Sequence, residues 1–248
     1  MGAPLVSVTL TEIAHRFDRT RHFVFVAAVI ACACIVMNVA LLGDIFAMTD
    51  SPNALAVWAA FALMIGYGYG LRLPVAVGLG LAIAFAAGSI LSWQGIDWKM
   101  FEQRPELFLP LAAIVSAIGM APEASSRRRF APIYRMVGLF VLLGALWALS
   151  TDAGLSVVPW GETAVKALYQ VCGFAASSAA IAIGLRRGWP ETTNIGAASF
   201  VVFLYTKFYQ WWWDWMPAYL FFFIVGVIAI AIIVLLRRVR DVIATEAA

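Results

Sequence analysis

The chain has 248 residues, of which 63% are hydrophobic and 12% charged. An average soluble domain carries roughly 25% charge, so one soluble globule is excluded, and disorder needs the opposite composition. What remains is an integral membrane protein, in which eight spans of about 20 residues use roughly 160 positions and leave no separate soluble domain.

In chain order, residues 1–22 read as a cytoplasmic amphipathic segment. Leu10, Ile13 and Phe17 form an i, i+3, i+7 stripe suited to the inner leaflet surface. Val29-Ile30-Ala31-Cys32 loosely resembles a lipoprotein cleavage site, but Glu12 and Asp18 make a poor n-region, so the first apolar run reads as a span. Residues 23–240 then form the transmembrane domain and 241–248 a cytoplasmic tail. The apolar stretches are Phe23–Phe46, Ala54–Leu71, Leu73–Trp93, Leu107–Ala121, Ile133–Ser150, Lys166–Leu185, Ile195–Trp213 and Ala218–Leu236. The fourth is short, which suits a tilted, thinned or re-entrant segment. Leu71-Arg72-Leu73-Pro74 splits an otherwise continuous run and predicts a tight helical hairpin, with proline at a first helical position.

Charge placement orients the spans. With the N-terminus in the cytoplasm, thirteen arginines fall inside, and only Lys99, Arg104, Lys166 and Lys207 fall outside. That is the positive-inside pattern, and it puts both termini in the cytoplasm. Trp93, Trp98, Trp160, Trp211, Trp212, Trp213 and Trp215 gather at the outer ends, where amphipathic rings sit at headgroup level. Punctuation also recurs. Gly70-Leu71-Arg72-Leu73-Pro74 ends the second span, and Gly184-Leu185-Arg186-Arg187-Gly188-Trp189-Pro190 ends the sixth. Asp97-Trp98 returns as Asp214-Trp215, 117 residues later. A parallel four-plus-four duplication would give this pattern, and so would any chain that repeats positive-inside signals.

Catalytic signatures are sparse. Both histidines, His15 and His22, precede the first span, and no zinc motif occurs, so no metal and no cofactor is expected. Ser89 has no histidine in any span to act as its base. The glycines from Gly66 to Gly88 lie inside apolar runs and read as helix packing. Cys32, Cys34 and Cys172 read as small buried thiols. The Arg127-Arg128-Arg129 and Arg237-Arg238 clusters suit anionic headgroups rather than nucleic acid.

The seventh span carries the most informative residues. Lys207 lies inside it, two helical turns before Asp214, with Tyr205, Tyr209 and Gln210 nearby. An ionisable residue in a span is costly unless partnered, functional or snorkelling. One reading makes Lys207 the floor of an outer vestibule bordered by Asp97, Trp98, Glu162 and Asp214. The other is a snorkelling lysine.

Asn194-Ile195-Gly196, then Leu204-Tyr205-Thr206-Lys207-Phe208-Tyr209, Leu220 to Gly226, and Leu236-Arg237-Arg238-Val239-Arg240 form a sequence of motifs. Together they resemble the end of bacterial membrane proteins of the domain-of-unknown-function 2157 family. Members similarly show a basic residue followed by aromatics, a short outer turn, and a phenylalanine-and-glycine span closed by arginines. The resemblance covers Asn194 to Arg240, about a fifth of the chain. It implies fold and location, with no activity attached.

The sequence therefore predicts an all-α, eight-span bundle of a bacterial inner membrane. The expected function is to bind or transport a small or lipidic ligand, or to serve as a subunit of a membrane assembly. The competing class is an enzyme acting on a lipid or lipid-linked glycan at the outer face. Expected partners are membrane lipids and such a ligand, with a membrane protein partner or a second copy also compatible.

Overall fold

The computed structural model describes residues 52–97, 100, 103–121 and 130–212, with single helical positions at 26, 29–30, 33–34, 37, 223, 226–227, 230 and 234. All secondary structure among the described residues is helical. The continuously described residues form six α-helices: α1 (Asn53–Tyr69), α2 (Arg72–Trp93), α3 (Phe108–Met120), α4 (Ala131–Thr151), α5 (Glu162–Arg187) and α6 (Pro190–Trp212). Short 3-10 turns at Pro105–Leu107 and Ala153–Leu155 precede α3 and follow α4. The N-terminal amphipathic segment and most of the first and eighth expected spans lie outside the described residues.

Among the described residues, three helices, α2, α4 and α5, are long and apolar enough to cross a membrane. Their surfaces are apolar nearly all round, as lipid-embedded helices require. Two hydroxyls of α2 return to their own backbone: Ser89 Oγ donates to Phe85 O at 2.8 Å and Ser92 Oγ to Gly88 O at 3.0 Å. Helix α1 is apolar but shorter, and α3 has only 13 residues. At 1.5 Å per residue α3 reaches about 20 Å, short of a roughly 30 Å hydrocarbon core. Helix α6 has 23 residues, but Thr192, Thr193, Asn194, Lys207 and Gln210 dilute its apolar character.

The chain forms two compact units, Met1–Leu142 and Leu143–Ala248. In the first, α1 and α2 form the expected hairpin. Gly70 caps α1 in the left-handed conformation (φ 66°, ψ 33°), where a side chain would be strained, and Leu71 N–H donates to Gly66 O at 2.9 Å. Pro74 stands third in α2 rather than first, still within the turn that lacks hydrogen-bond acceptors. The helices then touch closely: a Cβ on Gly66 would lie 2.8 Å from the Val75 nitrogen, and one on Gly78 3.1 Å from that of Leu63.

Beside the hairpin, Val75, Leu79, Phe130 and Ile133 form a buried cluster with Leu63 and Tyr134 packed against it. Tyr67 hydrogen-bonds hydroxyl to hydroxyl with Tyr134 and meets Phe130 edge-on, with ring centres 4.8 Å apart. Helices α3 and α4 approach through small residues: Cβ atoms on Gly119 and Gly138 would lie 2.7 and 2.6 Å from the Arg135 and Ser116 nitrogens. Arg135 belongs to α4, where it is buried, and its Nη1 donates to Gly119 O at 3.0 Å. That carbonyl is among the last four of α3, which lack intrahelical partners, so the guanidinium caps the helix where its dipole favours a cation.

In the second unit α5 and α6 form another hairpin, closed in the same way. Gly188 is the left-handed cap (φ 66°, ψ 35°), and Trp189 N–H donates to Gly184 O at 2.8 Å. A Cβ on Gly184 would lie 2.7 Å from the Thr193 nitrogen, and one on Gly196 3.0 Å from that of Ile181. The Arg187 guanidinium lies 5.0 Å from the centre of the Trp189 ring at the turn. Further along, the Phe203 ring covers Gly173, with Phe174 tilted beside it at 5.8 Å. Cys172 corrects the sequence expectation: its side chain is exposed on α5 rather than buried. In a membrane helix an apolar position faces lipid as readily as protein, so hydrophobicity does not assign the inner face.

Candidate apolar groove

The second unit holds an open groove of about 580 Å³ between the ends of α4 and α6. Its wall is Trp147 and Thr151 from α4, and Val201, Val202, Tyr205, Thr206, Tyr209 and Gln210 from α6. The α6 residues form two i, i+4 rows on one helix face, so the 3.6-residue repeat alone aligns them. The volume falls within the range of small-ligand sites.

One hydrogen bond ties the two walls together. Trp147 Nε1 donates to Thr206 Oγ1 at 2.9 Å, and Thr206 Oγ1 donates to Val202 O at 2.8 Å. The hydroxyl thus accepts from one helix and donates to its own, which fixes the indole against α6. Thr151 Oγ1 donates to Ala148 O at 2.8 Å, so its polarity is also turned toward the backbone. What faces the groove is therefore mostly hydrocarbon and aromatic ring. The tyrosine hydroxyls and the Gln210 amide are the polar groups its wall can add. They can orient a ligand by hydrogen bonding but supply no histidine, thiol or carboxylate.

The expected site residues divide accordingly. Tyr205 and Tyr209 stand in the groove wall. Lys207 is half-buried on α6, outside the lining. Glu162 is exposed at the start of α5, and its carboxylate lies 3.9 Å from the Lys166 ammonium, a local i, i+4 pair. Asp97 is exposed just beyond α2 in the first unit, and Glu162 belongs to the second. Trp98 and Asp214 lie outside the described residues. Among those residues, no three histidines, cysteines or carboxylates gather as a metal site.

The sequence pattern does not single out Trp147, Thr151, Val201 and Val202, and it gives Thr206 and Gln210 no role beside Lys207. The signal present was the pair of i, i+4 rows on the seventh span. What no local pattern supplies is that α4 faces them, since the Trp147–Thr206 bond joins residues 59 apart.

No family model, no curated protein and no solved structure matches the chain.

Proposed function

We propose that this is a multi-pass protein of a bacterial inner membrane, with eight spans, cytoplasmic termini and a parallel four-plus-four plan. Its role is to bind or move a small or lipidic ligand at the groove between α4 and α6. The observation that carries the ligand reading is the groove itself: an open, largely apolar wall with tyrosine and glutamine groups along it, held in shape by the Trp147–Thr206 hydrogen bond. Membrane residence draws support from the three long apolar helices among the described residues, and span number and orientation from the apolar stretches of the sequence and the inside excess of arginine. The repeat draws support from the two hairpin caps, Gly70 and Gly188, which stand 118 residues apart with the same conformation.

Native mass spectrometry of the full chain, gently released from its membrane, tests the ligand reading. The expected spectrum holds a non-protein adduct that Val202→Trp, which fills the groove, removes. An adduct-free spectrum, or one indifferent to Val202→Trp, contradicts the reading. Thiol labelling tests topology separately: a cysteine at Ser156 is expected to react from outside the cell and one at Ser125 is not. The reverse pattern overturns it.

A further inference from the structure

The groove's length, walls and flank narrow what it can hold. Val201 to Gln210 advance about 13 Å along α6 at 1.5 Å per residue, close to the roughly 15 Å of hydrocarbon in one leaflet. The groove is open rather than enclosed, which would let an occupant enter from the bilayer plane without passing through water. At about 100° per residue the six α6 lining positions cover half of the helix circumference, and Lys207 falls about 60° beyond Gln210. A cation therefore flanks the edge of an apolar track as long as one leaflet.

A second helix fits this wall poorly. The hairpins of this chain close on Gly66, Gly78, Gly184 and Gly196, whose missing Cβ atoms let backbones approach, as membrane helix pairs require. The groove instead presents Trp147, Tyr205, Tyr209 and two valines. Rings and branched side chains rather than glycines line it, and tyrosine and tryptophan suit the level where acyl chain meets headgroup.

Resting on the ligand-binding reading above, we propose that the occupant is one acyl chain of an anionic phospholipid. It enters sideways from the bilayer and sets its phosphate beside Lys207. The aromatic wall holds the chain, and the lysine chooses the headgroup.

The test offers the purified full chain equal amounts of dioleoyl phosphatidylglycerol and dioleoyl phosphatidylcholine and counts retained lipids by native mass spectrometry. The wild type is expected to keep one lipid, with phosphatidylglycerol favoured about fivefold, the discrimination that one cation near a membrane surface gives. Lys207→Met should still keep one lipid but lose the preference. Val202→Trp should keep neither, with helical circular dichroism and a single elution peak showing that it folds. Tyr205→Trp, on the same face, serves if it does not. Retention unchanged in a folded groove-filling variant defeats both this proposal and the ligand-binding reading. Equal retention of the two headgroups by the wild type, or a preference that survives Lys207→Met, defeats the proposal alone. So does a groove-filling variant that releases a second copy of the chain instead of a lipid.

Discussion

The two helical hairpins share a frame and differ in what the frame displays. Gly66, Gly70, Val75 and Gly78 of α1–α2 correspond, 118 positions on, to Gly184, Gly188, Thr193 and Gly196 of α5–α6, each in the same contact or cap. At that offset Ala87 and Leu91 of α2 stand where α6 has Tyr205 and Tyr209. The first pair is 0% and 1% exposed, and the second 39% and 44%. The inner face differs as well. Buried Ala59, Pro74 and Val75 are replaced by buried Ser177, Thr192 and Thr193, and Ser177 Oγ and Thr192 Oγ1 find no hydrogen-bond partner among the described residues. Close glycine contacts set how two helices meet, which leaves the remaining faces free to differ. One hairpin has sealed its face with small residues, and the other has opened it with rings.

The largest expected effects test the shared frame. Gly66→Ala and Gly184→Ala each force a Cβ against backbone nitrogen, and overpacking of that kind costs about 1–3 kcal/mol. Thermal unfolding in detergent should show similar losses for both. Gly68→Ala and Gly80→Ala, where nothing lies within 4 Å of the added Cβ, should be neutral or slightly stabilising. Unequal losses at Gly66 and Gly184 would break the equivalence of the hairpins.

The caps come next. Gly70→Ala and Gly188→Ala put a side chain into the left-handed region, at a cost of about 1–2 kcal/mol each. Both should lower the melting temperature, and asparagine at either position should restore part of the loss, because it tolerates that conformation better.

Smaller effects sharpen the difference between the hairpins. Trp147→Phe removes the bond across the groove, and interhelical hydrogen bonds in membranes average about 0.6 kcal/mol. Ligand retention should fall more visibly than stability. Thr192→Val should be neutral or stabilising by up to about 1 kcal/mol, since it removes a buried hydroxyl without a protein partner. A clear loss on Thr192→Val would mean that the hydroxyl holds something the protein alone does not supply.

Much of the frame was legible in sequence because its determinants are local. Hydropathy located Ala54–Leu71 and Leu73–Trp93 within two residues of α1 and α2, and glycine, arginine and proline marked their turn. The other four described helices match expected stretches, though α5 and α6 begin four and five residues earlier than the apolar run does. Polar first turns such as Glu162 to Val165 are helical without being apolar. Facing was far less legible. Sequence proximity ties Tyr205 and Tyr209 to Lys207, but the groove depends on Trp147 arriving from another helix. Arg135, one of the thirteen arginines counted as inside, is buried where its guanidinium caps the end of α3. Such pairings follow from tertiary packing, which no sequence period encodes.

The most direct test of the contrast between the hairpins is a cross-linking map made with a phospholipid carrying a diazirine in its acyl chain. After illumination of the reconstituted protein at low lipid excess, adducts should concentrate on residues 201–210 and around Trp147, above the level at exposed Phe140 and Val171. Buried Ile83, Ala87 and Leu91 of α2 should remain unmodified. Adducts on these three, or labelling of 201–210 no stronger than at Phe140 and Val171, would contradict the account.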